Sequence, residues 1–309
     1  MNFKIYHSSK SLPASLEKPV FALGNFDGVH LAHQRMFQMA IAAARKIGGL
    51  AAAYTFEPHP VKVLSPASAP KMINTLTQRL ELMKKSGLNA VVVEPFNRKF
   101  AQLGAEEWFR KIVLGRLRAA GLVVGYDFTF GSHRSGTTET LLQLCRDSGL
   151  NCRVLEATLL GETLISSSQI RSFVAQGEVK QAGQLLGRPF FIDGRVIQGV
   201  GRGAELGIRT ANLQTENELI PLSGVYACRA EIAGRHYPAV TNIGMNPTFG
   251  GTTLSIEAHL LRFKRDIYDR NLRLHFIERI REERTFASAG DLVVQIHHDI
   301  RETERILFS

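Results

Sequence analysis

The sequence has few cysteines, and the three present do not form a recognisable disulfide or metal-binding pattern. Cys145, Cys152 and Cys228 are odd in number and lack CxxC spacing. Their number and spacing argue against a disulfide framework and against a thiolate metal site. We expect all three to be small buried apolar residues.

Long apolar runs are also missing. No segment approaches the roughly 20 apolar residues that a membrane helix needs, and the N-terminal stretch MNFKIYHSSKSLPASLEKPV has no apolar run of signal-peptide length. We therefore expect a cytoplasmic protein without a membrane partner. The sequence also lacks internal repeats and low-complexity linkers. Its length of 309 residues exceeds the usual size of one domain and therefore predicts two globular domains.

Basic charge is concentrated in the first part of the chain. Residues 1–187 contain 22 Lys and Arg against 13 Asp and Glu, whereas residues 188–309 contain 16 against 15. Both polyphosphate substrates and nucleic acid are attracted by such a field, but no run of five basic residues occurs and no aromatic residues alternate with the basic ones. We expect small-molecule substrates and no nucleic-acid partner. On charge alone, a basic surface without function remains the alternative, and the oligomeric state stays open.

In residues 1–187, short apolar runs alternate with helical patterns from about residue 20 onwards. This alternation predicts an α/β domain with a parallel sheet and helices on both faces. Ligands bind to such sheets beyond the carboxyl ends of the strands. The predicted strands are VFALG, LAAAYTF, NAVVVEPF and GLVVGYDF, and the predicted helices span 31–46, 77–86, 105–119 and 138–148.

In residues 188–309 the pattern changes to strands without intervening helices. This pattern predicts an antiparallel sheet or a small closed barrel. The dipeptide at 233–234 is typical of a tight hairpin turn, and the apolar spacing in 288–307 predicts a closing helix. The predicted strands are FIDGRVIQ, GVYACRAEI, RHYPAVTNIG, LSIEAHLL and NLRLHFIE.

The stretch GNFDGVHLAH, residues 24–33, joins the first predicted strand of this pattern to the first predicted helix. A helix that starts near Leu31 offers unpaired N–H groups beside His30 and His33, which suits an anion. Two histidines without a third nearby ligand are a weak indication of zinc. The alternative is that both rings are satisfied by backbone groups, and we favour phosphate contact.

Two later stretches of the first domain fit the same chemistry. ISSSQIR, residues 165–171, places three serines at a helix start and an arginine one turn later, which suits phosphate oxygens. A simple helix cap would look the same. VVGYDFTFGSHRSG, residues 123–136, is a glycine-rich, aromatic and basic loop that suits a nucleotide.

In the second domain, LSIEAHLL places Glu257 among apolar residues of a strand. The period of two predicts two faces for this strand: Leu254, Ile256, Ala258 and Leu260 on one, and Ser255, Glu257, His259 and Leu261 on the other. A carboxylate there suits general-base chemistry on a substrate hydroxyl. A satisfied salt bridge is the alternative.

Together, and in this order, these motifs resemble the bacterial bifunctional riboflavin kinase/FMN adenylyltransferase family, also called FAD synthetase. The resemblance extends through GRGAELGIRTANL, GVYACRAEIAGRHYPAVTNIGMNPTFGG and IEAHLL. It implies a Rossmann-like α/β nucleotidyltransferase domain over 1–187 and a mainly antiparallel riboflavin kinase β-barrel with a C-terminal helix over 188–309. The implied substrates are ATP, riboflavin and FMN, and the implied metal is Mg²⁺.

For the first domain, the resemblance implies that His30 and His33 contact ATP phosphates and stabilise charge while FMN attacks the α-phosphorus and pyrophosphate leaves. It implies that Asp127 and Phe128 bind the flavin. Ser168 stands where the family motif has threonine and keeps the hydroxyl. The remaining nucleotide or phosphate contacts implied are Gly24, Asp27, Gly28, Ser166, Ser167 and Arg171.

For the second domain, the resemblance implies that Glu257 is the general base on the ribityl 5′-hydroxyl. GIRTAN, residues 207–212, matches the family's GFPTAN motif, whose threonine and asparagine help to hold Mg²⁺ and ATP phosphates. Thr210 and Asn212 take those positions. The glycine-rich stretch before it supplies Gly201 and Gly203 as further phosphate contacts.

Three further positions depart from the family motifs. Ala32 replaces the glycine of the family's HxGH motif, which falls on His30 to His33. Its methyl group is harmless if residue 32 lies inside the helix; the alternatives are that it pushes the backbone away from the nucleotide, or costs about 1 kcal/mol or more if the site needs a positive φ. Ile208 and Arg209 replace the phenylalanine and proline of GFPTAN, and Arg209 either loosens the loop or contacts phosphate. The alternative functions are an adenylyltransferase with an impaired kinase domain, and a non-enzymatic flavin-binding regulator.

Overall fold

The computed structural model describes residues 3–13, 16–198, 208–248 and 251–308. The chain divides into two compact units, Met1–Ser166 and Ser167–Ser309. The sequence predicts that the two activities divide between residues 187 and 188. The division into compact units does not test where the activities divide, so that boundary stays a prediction. None of the helices in the described ranges is long and apolar enough to cross a membrane.

A parallel six-stranded sheet forms the first unit, with the strand order β1-β4-β3-β2-β5-β6. The predicted α/β fold is therefore confirmed. The short edge strands β1 and β6 were not predicted. The strands are β1 Lys4–Tyr6, β2 Val20–Leu23, β3 Ala51–Glu57, β4 Ala90–Pro95, β5 Gly121–Gly125 and β6 Asn151–Leu155.

Helices connect these strands, and each predicted helix is found within three residues of its expected bounds. Alternate strand residues such as Phe21, Tyr54 and Val92 pack with Trp108 and Phe109 in one buried cluster, because side chains two apart share a sheet face. The helices are α1 Leu31–Lys46, α2 Pro60–Leu64, α3 Leu76–Lys85, α4 Arg98–Ala101, α5 Ala105–Trp108 with the π-helical segment Phe109–Arg116, and α6 Thr138–Asp147.

A small hairpin and two further helices follow the sheet. The hairpin pairs β7 and β8 in antiparallel fashion, and the second helix packs against the strands of the second unit. These elements are β7 Leu159–Leu160, β8 Thr163–Leu164, α7 Ser167–Ala175 and α8 Val179–Leu186.

The second unit contains a closed antiparallel barrel in the order β10-β13-β12-β11-β14-β9, followed by helix α9, Ala289–Phe308. The predicted barrel and closing helix are confirmed, and β10 is an additional strand. The strands are β9 Phe190–Ile197, β10 Ala211–Thr215, β11 Gly224–Ile232, β12 Arg235–Thr248, β13 Gly251–Leu260 and β14 Asn271–Arg281.

The hairpin between β11 and β12 has the predicted two-residue turn. Ile232 pairs with Arg235, and the turn residues Ala233 and Gly234 have φ values of 48° and 76°. Two positive φ values in succession define the type I′ turn, whose twist matches the flanking strands.

A buried ion pair fastens α9 to the barrel. Asp299 is 2% exposed and accepts two hydrogen bonds from Nε of Arg281, at 3.0 and 3.1 Å, and one from Nη2 at 2.8 Å. Gln295 donates a further hydrogen bond of 2.7 Å to the same carboxylate. Since each charge is compensated, the pair fixes the orientation of the helix on β14.

We predict that Asp299→Ala destabilises the protein by about 3 kcal/mol, because it leaves the partly buried Arg281 guanidinium without its counter-charge. Urea unfolding followed by circular dichroism measures the change. Arg305→Ala on the same helix is the control and should cost less than about 0.5 kcal/mol, since it removes an exposed ion pair. Equal midpoints for the two variants would refute the role of the Asp299 pair.

Candidate functional site

The candidate site of the first unit lies where β2 and β5 end. These neighbouring strands pair through Val20 with Gly121 and Ala22 with Val123. The chain moves from β2 to β3 and β4 on one side and then returns to β5 on the other. In a parallel sheet this reversal opens a crevice beyond the carboxyl ends of the strands, where ligands bind. Residues 24–30 and 126–136 border that edge.

The segment after β2 has an unusual backbone. Phe26, Gly28 and Val29 have φ values of 53°, 83° and 42°. A positive φ is unfavourable for a β-branched residue and is found where surrounding packing enforces it. The Phe26 and Val29 side chains are buried, and Gln34 donates a 2.9 Å hydrogen bond to the Val29 carbonyl. Burial and this hydrogen bond hold the strained loop in place.

Asp27 lies beneath this loop with 2% of its surface exposed. Its carboxylate accepts hydrogen bonds from the backbone N–H of Ile73, at 3.0 and 3.2 Å, and of Asn74, at 3.3 Å. These bonds tie the loop to the segment that precedes α3. A direct phosphate contact by Asp27 stays a prediction.

His30 and His33 are stacked at the N-terminus of α1. Their ring centroids lie 3.5 Å apart with an interplanar angle of 18°. Nδ1 of His30 accepts a 3.4 Å hydrogen bond from the backbone N–H of His33. Because Nδ1 is the acceptor, the neutral His30 ring carries its proton on Nε2 and can donate from there. The positive end of the helix dipole also favours an anion here.

Two other positions of the motif fit this geometry. Ala32 is the second residue of α1 and is not among the residues with positive φ. Alanine is a good helix former, so this departure from the family glycine adds no strain. At Gly24, a Cβ would lie 3.0 Å from the Phe26 ring, so glycine allows that ring to pack closely.

Arg79 was missed by sequence reasoning, although it organises this edge. Its side chain is 1% exposed, and it donates to the carbonyls of Asn25 at 2.9 Å and Phe56 at 3.2 Å, and to the Glu57 carboxylate at 2.6 Å. Burial lowers the pKa of the guanidinium, and the neighbouring Glu57 opposes that shift. An arginine within the pattern of α3 looks like a surface residue, so the sequence carried no signal for it.

Hydrogen bonds fix the loop after β5 at two places. Phe130 and Gly136 exchange backbone hydrogen bonds of 3.0 and 2.9 Å, and a Cβ at Gly136 would lie 2.6 Å from the Phe130 ring. The Thr138 hydroxyl donates to the carbonyls of Tyr126 and Phe128 at 3.0 and 3.3 Å. The loop is therefore preorganised.

The two predicted flavin-binding residues differ in environment. Phe128 is half-buried and packs against Trp108 and Phe130, with ring centroids 6.5 and 5.8 Å away. Asp127 is exposed. The anchored aromatic ring can contact a planar group of a ligand, and the exposed carboxylate beside it can contact a polar group of the same ligand.

Ser166 and Ser167 lie at the start of α7, and Arg171 lies one turn further along it. Ser167 and Arg171 share a helix face because they are four residues apart. All three are half-buried, and Ser168 is exposed. Their phosphate contacts stay predictions.

The candidate site of the second unit lies on the outer face of the barrel. Along β13, Ile256 and Ala258 are buried, whereas Ser255, Glu257 and His259 are half-buried. The predicted alternation therefore holds from Ser255 to Leu260. It fails at Leu254, which is 42% exposed, and at Leu261, which is 4% exposed because it follows the end of the strand.

Glu257 lies in a row of polar residues. Asn212 of β10 and Asn242 of β12 are its direct cross-strand partners, so the three side chains share one face. The Glu257 carboxylate accepts hydrogen bonds from the hydroxyls of Ser255 at 3.0 Å and Thr210 at 3.4 Å. The fold thus brings Thr210, Asn212 and Glu257 together, and Asn242 is an addition that sequence reasoning missed.

The segment before β10 is fastened to β13. Nδ1 of His259 donates a 2.8 Å hydrogen bond to the Arg209 carbonyl. Ile208 is 8% exposed, whereas the Arg209 side chain points to solvent. Gly201 and Gly203 lie outside the described residues, as do the rest of 199–207.

A second carboxylate lies near this row. Gly244 pairs with Ser255, and a side chain at Gly244 would overlap the Glu283 carboxylate. The hydroxyl, amide and carboxylate oxygens of Thr210, Asn212, Glu257 and Glu283 are the donor type that Mg²⁺ prefers. The residues present therefore fit that ion.

Two family models match the chain. The FAD synthetase model matches residues 12–169, and the riboflavin kinase model matches residues 186–307. Two relatives are named bifunctional riboflavin kinase/FMN adenylyltransferase. The Bacillus subtilis (strain 168) protein is 36% identical over 306 residues, which cover 97% of this chain and 96% of the relative. The Escherichia coli (strain K12) protein is 34% identical over 289 residues, which cover 93% and 92%.

One solved structure matches over nearly the whole length. It has a TM-score of 0.88 and 31% sequence identity, and the match covers 98% of both chains. It is described as a macrolide-efflux protein from Streptococcus pneumoniae. That description belongs to the solved protein and supplies no activity for this chain.

We predict that Arg79→Met lowers the free energy of unfolding by about 3 kcal/mol or more, because two carbonyls and the Glu57 carboxylate lose a charged donor. Urea unfolding measures the loss. Hydrogen exchange of residues 24–30 should accelerate in the same variant. Lys84→Met, an exposed change in the same helix, is the control, and identical behaviour of the two variants would exclude this role for Arg79.

Proposed function

Because the chain belongs to the bifunctional riboflavin kinase/FMN adenylyltransferase family, we propose that its parallel-sheet domain makes FAD and its barrel domain makes FMN. The enzyme phosphorylates riboflavin with ATP to give FMN and ADP, and it adenylylates FMN with ATP to give FAD and pyrophosphate. Residues 1–187 carry the adenylyl transfer in this proposal, and residues 188–309 carry the kinase reaction.

The stacked His30–His33 pair at the start of α1 supports the assignment of adenylyl transfer. In this proposal Nε2–H of His30 donates to a phosphate oxygen, and the helix terminus favours the same negative charge. The FMN phosphate attacks the α-phosphorus, and pyrophosphate leaves. No enzyme nucleophile is needed, since positioning and charge stabilisation supply the catalysis.

Other residues of this domain position the two substrates. Gly24 and Gly28 let the backbone approach the ATP phosphates, and Asp127 and Phe128 bind the flavin. Ser166, Ser167 and Arg171 donate to phosphate oxygens. Asp27 and Arg79 act on the histidines through the loop that they fix.

The polar row of Asn212, Glu257 and Asn242, with the Thr210 hydroxyl bonded to Glu257, is the observation that carries the kinase proposal. Glu257 accepts the proton of the ribityl 5′-hydroxyl, which then attacks the γ-phosphorus of ATP. Thr210 and Asn212 hold Mg²⁺, which when bound neutralises charge on the ATP phosphates. The hydroxyls of Thr210 and Ser255 each donate to a different oxygen of Glu257 and orient the carboxylate, which in this proposal meets the substrate hydroxyl on the same face.

Retention of a working kinase is favoured over an adenylyltransferase with an impaired barrel. Proline is missing at position 209, but the carbonyl of Arg209 is held by His259 and Ile208 is buried. These contacts supply the rigidity that proline would give to the segment. We propose Mg²⁺ as the metal, a cytoplasmic location, and no partner among nucleic acids or membranes.

We predict that changing both His30 and His33 to Ala abolishes FAD formation and leaves FMN formation unchanged within about twofold, because the donors serve only adenylyl transfer. Chromatography of flavins after incubation with riboflavin, ATP and Mg²⁺ measures both steps. A folded double variant that loses FMN formation as well would show that the two reactions are not divided between the domains.

We also predict that Glu257→Gln lowers FMN formation by about 10²-fold or more, the usual scale of general-base catalysis. The amide keeps the shape of the side chain but accepts no proton. Adenylylation of supplied FMN should not change. Glu216→Gln, an exposed change in the same domain, is the control, and a Glu257→Gln enzyme with full kinase rate would eliminate Glu257 as the base.

A further inference from the structure

Three potential metal ligands meet on the barrel surface, away from the candidate site of the same unit. Glu231 of β11 pairs directly with His236 of β12 across the type I′ hairpin. His275 of β14 pairs with Arg229, two residues before Glu231. Residues that are paired or two apart share a face, so all three side chains project from the same side of the barrel.

The ligand atoms of this cluster are close together. Nε2 of His275 and Oε2 of Glu231 are 3.1 Å apart, and one ligand atom from each residue lies within 4.8 Å of the other two. Tetrahedral zinc with ligands at 2.0–2.2 Å needs ligand atoms about 3.3 Å apart. Glu231 and His275 already satisfy this spacing. The exposed His236 reaches it by a side-chain rotation.

The positive charge of Arg273, which neighbours the cluster, is already compensated. Arg273 is the cross-strand partner of Glu231, but it donates to the Asp193 carboxylate at 2.6 and 2.9 Å and lies 4.2 Å from the Phe191 ring centroid. The bidentate pair fixes the guanidinium beside Phe191. Glu231 therefore keeps its hydrogen bond with His275, and a cation can bind between these two side chains.

We propose that Glu231, His236 and His275 form a binding site for a divalent transition-metal ion, and that zinc is the ion it fits best. Two imidazoles and one carboxylate suit zinc, whereas Mg²⁺ prefers oxygen ligands. Water completes the coordination. When zinc binds, the neutral His275 ring changes tautomer through solvent: Nε2 gives up the proton that it donates to Glu231, Nδ1 takes up a proton, and the freed Nε2 lone pair coordinates the metal.

Such an ion stabilises the barrel and supplies no chemistry to the kinase. His236 and Asn242, the neighbour of Glu257, are six residues apart on β12, or about 20 Å along the strand. The ion would cross-link β11, β12 and β14 at the end of the hairpin. A ligand that binds only the folded state raises its apparent stability.

The test uses the full-length chain with excess Mg²⁺ and titrates ZnCl₂ by isothermal titration calorimetry. We expect His236→Ala to bind one fewer zinc ion than the unaltered protein and to lose the zinc-dependent rise in melting temperature. Because His236 is exposed, its replacement should not disturb folding, so misfolding would not explain a loss of zinc binding. Glu231→Gln should weaken the same site at least tenfold. His297→Ala, which removes an exposed histidine of α9 outside the cluster, should bind as the unaltered protein does.

Replacement of zinc by Co²⁺ gives a second readout. Co²⁺ in a site with two imidazoles and one carboxylate should show visible absorption that is absent in His236→Ala. The proposal is overturned if no zinc binds, or if His236→Ala and Glu231→Gln bind the same number of zinc ions with unchanged affinity. Either result would be independent of the kinase and adenylyltransferase assays, because neither readout depends on activity.

Discussion

The first domain depends on the buried guanidinium of Arg79. A charge without solvent must be compensated, and here the partners are two backbone carbonyls and the Glu57 carboxylate. These partners belong to the end of β3 and to the segment after β2. One side chain therefore fixes the edge of the sheet where phosphate chemistry is proposed. Asp27 adds a second connection, from the same loop to the segment before α3.

Residues 24–30 have a strained backbone that packing and a hydrogen bond stabilise. The positive φ of Val29 persists because its side chain is buried and its carbonyl is held by Gln34. In return, the chain turns within seven residues from a buried strand into α1 with its N–H groups and His30 facing the edge of the sheet. A more relaxed loop would not present the same donors.

In the barrel, apolar side chains fill the interior, and the residues proposed for catalysis lie on the outer face. Cross-strand pairing of Asn212, Glu257 and Asn242 makes a polar row without any irregular backbone. Rigid strands set the spacing of these groups, and the anchored Arg209 carbonyl sets the position of Thr210. Regular pairing of β11 with β12, next to their hairpin turn, likewise aligns Glu231 with His236.

The sequence by itself determined the two-domain order, most strands and helices, and the motif residues, because apolar periodicity and glycine-bounded turns are local properties of the chain. It also located His30 at a helix start and Glu257 on a polar strand face. Only the tertiary structure decided that Ala32 adds no backbone strain, since its φ depends on where α1 begins. Likewise, Arg79, Asn242 and the Glu231–His236–His275 cluster gain their roles from residues 22 to 54 positions away or on neighbouring strands. Long-range contacts of that kind leave no period or spacing in the sequence, because they are fixed by strand register and by the need to compensate buried charge.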